Sequence, residues 1–336
     1  MKKIIENYPL ISIAIPTFNE ERYIVSCLES IFSQDYPSTK LQVIIIDNFS
    51  TDKTLQLAKK YPVEILMDKT KDAQYLKMLG FRKSRGDYFI FMDADSRLAN
   101  KRWFKTMLEP HLADKELAGS FTDIIPDKKD SPASQYIASF SVYTSPLFQF
   151  FSQRIEDTVV EKKGDFYICE YTDKIAPPTG SSLYKMKYLK VAKIAEQEKF
   201  MELDVLAIMV SKGFRKYAYN PKMGIYHSHI EHVSEIFSKR IRNINRNYMK
   251  DLGGRHFLWI DFSDKKSIIK ILLWIIYAYT FALPILRGLF KALKNKKLFY
   301  FYYEPIVTVL ETSAVIYSIL IHPRKMQFFR KLFALK

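Results

Sequence analysis

The sequence Tyr88-Phe89-Ile90-Phe91-Met92-Asp93-Ala94-Asp95 places two carboxylates directly after a run of apolar and aromatic residues. Such a run is typical of a strand that is covered on both faces, as in the parallel sheet of an α/β protein. Ligands of these sheets bind at the carboxyl ends of the strands, and carboxylate oxygens are ligands that Mg²⁺ and Mn²⁺ prefer. Asp93 and Asp95 are therefore candidate metal ligands, while an Asp-x-Asp turn before a helix near Asn100 is the simpler alternative.

The residues before this segment alternate between strand and helix patterns. Residues 11–15 are mainly apolar and end at Pro16, after which apolar residues recur at helical spacing up to Ile31. A second apolar run, 41–46, precedes a cluster of Ser, Thr and Asp that is typical of a helix start. A third run, 63–67, precedes a helical stretch. This alternation predicts parallel βαβ units with right-handed crossovers.

Three segments, IPTFNE (15–20), VIIIDNFSTDKT (43–54) and RGDYFIFMDADS (85–96), resemble the family 2 glycosyltransferases in order and spacing. The combination is far more specific than any one of the segments. The resemblance implies an α/β chain with a GT-A fold, a Rossmann-like nucleotide-diphospho-sugar transferase domain. It also implies an enzyme that transfers a sugar from a nucleotide-diphosphate donor to an acceptor with inversion.

The same resemblance implies roles for single residues. Asp47 would contact the nucleobase, and the loop 17–20 would line the nucleoside pocket. Asp95 would bind the Mg²⁺ or Mn²⁺ on the diphosphate, and Asp93 would hold the ribose or a metal-bound water. The predicted donor-binding residues are Pro16, Thr17, Phe18, Glu20, Asp47, Asn48, Lys77, Asp93 and Ala94.

One segment departs from the family pattern. Where many members have Arg-Asn-x-Gly, this chain has Lys77-Met78-Leu79-Gly80, so that a cation is kept and the Asn position is apolar. Lys77 is therefore a candidate contact for the diphosphate. A solvated helix face is the alternative interpretation of Lys77.

The candidate catalytic base lies in the second half of the chain. Residues 200–204 precede an apolar helix, and their distance from Gly213 matches the family's Glu-Asp-x-Asp segment with Glu202 in the second place. Inversion needs a carboxylate that takes the proton of the acceptor hydroxyl as the oxygen attacks. We expect Glu202 to be this base and Asp204 to be its competitor, with a helix-start carboxylate as the alternative for Asp204. The loop 177–182 would lie near the donor sugar and the acceptor, as in the family.

Two clusters follow the predicted base. His227, His229 and His232 lie close together without the cysteines or spacing of a structural zinc site. The family resemblance favours His227 as a ligand of the metal or the diphosphate, and a histidine at an interface is the more common outcome. The cations Lys239, Arg240, Arg242 and Arg246 could bind diphosphate or lipid phosphate, or could form a solvated basic face.

Composition and charge restrict the partners. The chain of 336 residues is 48% apolar, and its net charge of +16 predicts an anionic partner, either nucleic acid or a membrane. Residues 271–286 carry no charge and reach membrane-crossing length with their flanks, residues 267–290. Residues 299–321 form a second stretch, which contains Glu304, Pro305 and Glu311. We therefore expect a membrane partner and no nucleic acid.

The two apolar stretches allow two topologies. They form either a transmembrane hairpin with both ends in the cytoplasm, which we favour, or two helices that lie in the headgroup interface. The amino-terminal residues lack the apolar core of a signal peptide, so we expect the catalytic domain on the cytoplasmic face of the cell membrane, with Cys27 and Cys169 reduced. The expected organisation is a catalytic domain over 1–236 (donor half 1–100, acceptor half 101–236), a basic juxtamembrane segment over 237–264, apolar helices over 265–322 and a basic tail over 323–336.

The acceptor and two alternative functions remain open at this level. Membrane attachment beside a cytosolic site suggests a lipid-linked acceptor in surface polysaccharide or glycan assembly. A nucleotidyltransferase that makes nucleotide sugars would use an Asp pair as well, but the loop after the first strand contains no glycine for its phosphates. A non-catalytic basic protein that binds membranes or nucleic acid explains the charge but gives the Asp pair and Glu202 no role.

Overall fold

The computed structural model describes residues 7–172, 182–246, 255–257, 260 and 264–321. The described residues form two compact units. The first unit comprises Met1–Ile125 and Arg154–His227, and the second comprises Pro126–Gln153 and Ser228–Lys336. The predicted catalytic domain 1–236 therefore includes segments of both units, and the predicted basic tail 323–336 lies outside the described residues.

The first unit is built on a mixed sheet that contains ten strands within the described residues. The strands are β1 Ile11–Thr17, β2 Leu41–Asp47, β3 Val63–Met67, β4 Tyr88–Phe91, β5 Ser96–Leu98, β6 Gly119–Ile124, β7 Val159–Lys163, β8 Phe166–Glu170, β9 Leu183–Lys185 and β10 Lys216–His227. Their order is β3-β2-β1-β4-β9-β6-β10-β8-β7, with β5 paired to β10.

The donor half of this sheet has the predicted parallel arrangement. Strand β1 pairs in parallel with β2 on one side and with β4 on the other. Every residue of β1 and β2 is buried, as expected for strands that are covered on both faces. The register sets Thr17 opposite Asp47, so that the carboxyl ends of β1 and β2 lie at one edge of the sheet.

Six helices belong to the first unit among the described residues. They are α1 Ile24–Phe32, α2 Thr54–Ala58, α3 Ala73–Lys83, α4 Trp103–Ala113, α7 Met186–Val191 and α8 Glu202–Ser211. Helix α3 lies very close to the sheet at Gly80, where an added Cβ would be 2.5 Å from Ala14 Cβ and 2.8 Å from Ile46 Cδ1. This close approach requires glycine at the last position of the Lys77-Met78-Leu79-Gly80 segment.

The second unit is helical in its described part. Its helices are α5 Pro132–Ala138, α6 Pro146–Phe151, α9 Glu235–Ile244, α10 Lys265–Tyr279, α11 Ala282–Asn295 and α12 Phe299–Ile321. Ser131 and Ser134 donate hydrogen bonds from their hydroxyls to the Ile230 carbonyl oxygen, at 2.6 and 2.7 Å. These bonds connect the segment 126–153 to the residues that follow β10.

The first predicted apolar helix, over residues 267–290, is two helices in the structure. Helices α10 and α11 meet at a bend of 75°. Phe281 has φ 57° at the break, and Pro284 lies in the first turn of α11. In a continuous helix Pro284 would lack the amide for its backbone bond and its ring would clash with the preceding turn, whereas the first turn of a new helix needs no such donor. By length and composition, α12 could cross a membrane, and the bent pair passes the same test only when both halves are counted together.

Two buried carboxylates of α12 organise the second unit. Glu304 is fully buried and pairs with Arg287 at 3.2 Å and Lys291 at 3.0 Å, both on α11. It also accepts a hydrogen bond from the Tyr136 hydroxyl at 3.0 Å. Glu311, which is 1% exposed, forms an ion pair with Arg240 of α9. Polar contacts therefore connect α12 to helices α5, α9 and α11.

Candidate active site

The loops after β1 and β2 are connected through Asp47. Its side chain is buried, and its carboxylate accepts hydrogen bonds from Thr17 Oγ1 at 2.8 Å and from the amide and hydroxyl of Ser50, each at 2.7 Å. Asn48 is also buried, and its amide group donates to the carbonyl oxygens of Asp68 and Thr70 at 2.7 and 3.0 Å. The two predicted donor-binding residues thus fix the geometry of the loops at this edge.

Two aromatic side chains are exposed at the same edge. Phe18 follows β1 and is 52% exposed, and Phe49 follows β2 and is 47% exposed. Phe49 adopts φ 55°, a left-handed conformation that is unfavourable for a bulky residue. Pro16 lies within buried β1, and the Glu20 amide donates to Thr54 Oγ1 at 2.7 Å. Phe49 was not among the predicted donor-binding residues. Its position could have been noticed in the sequence, because it is an aromatic residue inside an otherwise polar turn.

Asp93 follows β4 and forms an ion pair with Lys77. Lys77 Nζ lies 3.0 Å from Asp93 Oδ1 and 4.0 Å from the centre of the Phe91 ring. Lys77 is 6% exposed, so the solvated helix face considered for it is wrong. Helix α3 directs this cation towards the sheet because its buried side packs on β1 at Gly80. A buried cation therefore lies beside the first carboxylate of the Asp pair.

Asp95 is paired with His227. Strand β5 begins at Ser96 and runs antiparallel to β10, in a register that sets His227 opposite Ser96. His227 Nε2 lies 3.1 Å from Asp95 Oδ1. Burial opposes the imidazolium charge, but the Asp95 carboxylate outweighs it and raises the pKa of His227 to about 9. His229 and His232 belong to the second unit.

Glu202 is the first residue of α8, and an aromatic cluster positions it. The Phe200 ring lies 5.3 and 5.6 Å, between centroids, from the rings of Phe89 and Phe91 on β4. The Tyr184 hydroxyl of β9 donates a hydrogen bond to Glu202 Oε1 at 3.3 Å. The sequence did not indicate this contact, because it depends on β9 pairing with β4.

The charge of Glu202 is controlled by its surroundings. Desolvation raises the pKa of Glu202 to about 8, the Lys77 ammonium opposes this rise, and the Asp93 carboxylate adds to it. Asp204 is also buried, two residues further along the helix, where side chains point to different faces. A half-buried carboxylate that titrates near neutral pH fits a general base.

The predicted loop 177–182 lies outside the described residues except for Ser182, which is buried. Ala94, between the two aspartates, is buried as well.

The residues at the Asp pair fit a divalent cation that also binds a substrate. Asp95 Oδ1 is buried, and no described donor is aligned for a hydrogen bond to it although His227 Nε2 is 3.1 Å away. Within the described ranges, no three His, Cys, Asp or Glu side chains form a complete ligand set. Mg²⁺ and Mn²⁺ commonly take one or two carboxylates from the protein and further oxygens from a phosphate substrate. Asp95, with Asp93 or His227, suits such a partial set.

Several known proteins are similar to this chain. The model described as Glycosyl transferase family 2 matches residues 12–166. Over 91 residues the chain is 44% identical to the dolichyl N-acetyl-alpha-D-glucosaminyl phosphate 3-beta-D-2,3-diacetamido-2,3-dideoxy-beta-D-glucuronosyltransferase of Methanococcus voltae, covering 25% of this chain and 28% of the relative. Over 175 residues it is 28% identical to the poly(ribitol-phosphate) beta-N-acetylglucosaminyltransferase TarS of Staphylococcus aureus, covering 47% of this chain and 29% of the relative. The chain thus matches less than a third of the length of either relative.

Among solved structures, the fold resembles the mannosyltransferase PcManGT from Pyrobaculum calidifontis in complex with GDP-Man and Mn²⁺. The TM-score is 0.52 at 13% identity, over 92% of this chain and 88% of that one. The predicted GT-A fold is confirmed.

Proposed function

Because the family 2 glycosyl transferase model matches residues 12–166, we propose that the chain is an inverting glycosyltransferase with a nucleotide-diphospho-sugar donor. One observation carries the proposal: a candidate base, a buried cation and an Asp pair act on one another at the carboxyl ends of the sheet strands. The charges of Lys77 and Asp93 affect the pKa values of both Glu202 and His227. A carboxylate whose pKa is raised to about 8, close to a buried cation and a second carboxylate, supports a catalytic role.

The donor would bind across the ends of β1, β2 and β4. The exposed Phe18 ring and the ordered loops at Asp47 and Asn48 offer a surface for the nucleoside. Lys77 offers a positive charge to the diphosphate. The phosphate oxygens would compete with the Asp93 carboxylate for the Lys77 ammonium group. The family pattern implies that Pro16, Thr17, Glu20 and Ala94 would contact the donor as well.

Glu202 would act as the general base. It would take the proton of the acceptor hydroxyl while that oxygen forms the bond to the anomeric carbon and the nucleotide diphosphate departs. Tyr184 would orient the carboxylate through its hydrogen bond of 3.3 Å. Asp204 is the alternative base, two residues along α8.

Asp95 would hold Mg²⁺ or Mn²⁺, with Asp93 or His227 as a further ligand. When bound, the cation supplies positive charge that neutralises the diphosphate leaving group. The solved structure of PcManGT contains Mn²⁺ together with GDP-Man, which supports the same cofactor class for this chain.

The acceptor that we propose is a lipid-linked glycan used in surface polysaccharide or glycan assembly. The Methanococcus voltae relative is named for a dolichyl phosphate substrate, and the described part of the second unit contains an apolar helix long enough to cross a membrane. The net charge of +16 favours an anionic membrane as the second partner. We place the protein at the cell membrane with its catalytic part on the cytoplasmic face.

A panel of nucleotide sugars tests the proposal. The protein is incubated with each donor, labelled in the sugar or in the nucleotide, with lipid-linked acceptors and with Mn²⁺ or a chelator. We expect transfer of the sugar label that depends on the cation and is lost in Asp95→Ala. The matched control is Asp165→Ala, which removes an exposed carboxylate that pairs with Lys222. Transfer of the nucleotide label would identify a nucleotidyltransferase instead, and no transfer with any donor would contradict the proposal.

A further inference from the structure

Helices α10 and α11 expose a continuous apolar surface, which we call the apolar stripe. On α10 its members recur at one helical face, and on α11 they recur at spacings of three and four residues. The stripe consists of Ile268, Ile269, Leu272, Leu273, Ile276, Tyr279, Phe281, Leu283, Ile285, Leu286, Leu289, Phe290 and Leu293, each at least 38% exposed. Exposed apolar patches of this extent mark interaction sites with membranes or proteins.

The charges within this region point away from the stripe. Between residues 271 and 293 the sequence contains only two charged residues, Arg287 and Lys291. Both pair with the buried Glu304 of α12, and Arg287 also donates to Gln149 Oε1 at 2.6 Å. The outer face of both helices is therefore free of charge over this range, although α11 carries two cations in its sequence.

Lysines lie at both ends of the stripe. Lys265, Lys266 and Lys270 are exposed at the start of α10, and Lys294 and Lys296 are exposed at the end of α11. Cations that border an apolar face can reach the anionic headgroups while the apolar side chains enter the acyl region. This charge pattern suits an anionic bilayer.

Neither of the two helices is long enough to span a membrane alone. With 15 and 14 residues, α10 and α11 are each about 21–23 Å long, which is shorter than the hydrocarbon core of about 30 Å. Their bend of 75° prevents them from forming one straight helix.

Helix α12 is long enough to span, but it is partly covered by other helices of its own unit. Glu311 pairs with Arg240 of α9, and the α9 residue Phe237 packs on Tyr317 with ring centroids 5.9 Å apart. Helix α9 exposes Arg242. If α12 crossed the bilayer in this arrangement, α9 would bring this cation into the hydrocarbon.

We infer that α10 and α11 insert into one leaflet of an anionic membrane along the apolar stripe, and that the chain attaches without crossing the bilayer through these helices. This corresponds to the interfacial topology rather than the favoured hairpin. The inference rests on the membrane attachment proposed above but is independent of sugar transfer. Both ends of the pair, including Asn295, then stay on the side from which the protein binds.

Flotation with preformed vesicles tests the attachment. The full chain is mixed with vesicles of phosphatidylcholine alone or with phosphatidylglycerol. We expect binding that increases with the anionic lipid and falls at least tenfold in Leu286→Glu/Phe290→Glu, which places charge on the stripe. The matched control is Val191→Glu, because Val191 is 66% exposed in the first unit. Circular dichroism and thermal unfolding establish that each variant is folded, and a stripe variant that is folded and binds as well as wild type would overturn the inference.

A labelling experiment tests the topology. Cys27 and Cys169 are buried, so a membrane-impermeant maleimide applied to the vesicle-bound Asn295→Cys variant reports mainly on the new thiol. We expect full labelling before detergent is added. Labelling only after detergent would show a span and would overturn the single-leaflet arrangement while leaving attachment intact. Failure to bind any vesicle, together with detergent-sensitive dimers in solution, would assign the stripe to a second copy of the chain.

Discussion

Replacing Glu202 by Gln removes the candidate base with the least change in shape. The expected result is a loss of turnover of about a hundredfold or more, the range for removal of a general base. Donor affinity should change little, because the nucleoside surface at Phe18 and the Lys77 ammonium remain. Asp204→Asn is the matched variant in the same helix turn, and it should keep most of the activity.

The raised pKa sets a second, independent magnitude. A base must be deprotonated, and with a pKa of about 8 only about one Glu202 in eleven is ionised at pH 7, against about ten in eleven at pH 9. The rate at low substrate should therefore rise about tenfold between these pH values, provided the enzyme stays folded. The hydrogen bond from Tyr184 favours the ionised form of Glu202, and Tyr184→Phe removes it. The pKa of Glu202 should then increase, so the rise of the rate should occur at higher pH.

The assay is kcat/KM against pH for wild type, Glu202→Gln and Tyr184→Phe, with donor dissociation constants measured separately by calorimetry. Glu202→Gln should lose the rise with pH as well as the rate. A Glu202→Gln enzyme that keeps the same pH profile, or whose donor affinity falls as much as its rate, would refute the assignment. A silent Glu202→Gln with an inactive Asp204→Asn would move the base to Asp204.

Three further predictions concern the metal, the sheet and the helical unit. Asp95→Ala should abolish turnover and the additional thermal stabilisation that Mn²⁺ gives to the nucleotide-diphosphate complex, and full activity of this variant in a chelator would exclude the metal role. Gly80→Ala should lower the free energy of unfolding by about 1–3 kcal/mol, because the added Cβ would lie 2.5 Å from Ala14 Cβ. An unchanged unfolding temperature would show that α3 can shift away from the sheet. Glu304→Ala should lower the free energy of unfolding of the second unit by about 3–5 kcal/mol, since Arg287 and Lys291 lose their buried partner. Calorimetric unfolding measures this loss, and an unchanged transition would show that water solvates the two cations instead.

The donor half of the fold was predictable because its signals are local. The strands β1 and β2 are buried throughout and β4 is buried in its middle, so their sequences are mainly apolar, and Asp47 and Asp93 follow where these apolar runs end. The polar residues before α2 also match the sequence pattern of a helix start, and the Asp52 carboxylate accepts a hydrogen bond from the Thr54 amide at 2.9 Å.

The contacts between distant segments were not predictable in the same way. His227 reaches Asp95 only because β5 pairs antiparallel with β10, and Tyr184 reaches Glu202 only because β9 lies between β4 and β6. Sequence periodicity contains no information about strand order. The direction of Lys77 was ambiguous for a related reason, because only the packing of α3 on the sheet decides which face of the helix is covered.

The break between α10 and α11 was missed although Pro284 is visible in the sequence. A hydropathy value is an average over the 24 residues of 267–290, so it does not show that Pro284 within them interrupts the helix. It also counts Arg287 and Lys291 as polar although both are directed to Glu304, so it cannot show that the outer face of α11 is apolar.

The hydrogen bonds of Asp47 have a consequence for the kinetics of ligand binding. Because Thr17 and Ser50 hold its carboxylate in place, the loops at the ends of β1 and β2 are ordered before a ligand arrives. A ligand that binds there loses its own freedom of motion but does not have to order these loops, so less of the binding free energy is spent on protein entropy. Association at this edge is then governed by diffusion and charge, and differences among ligands should appear mainly in how fast they dissociate.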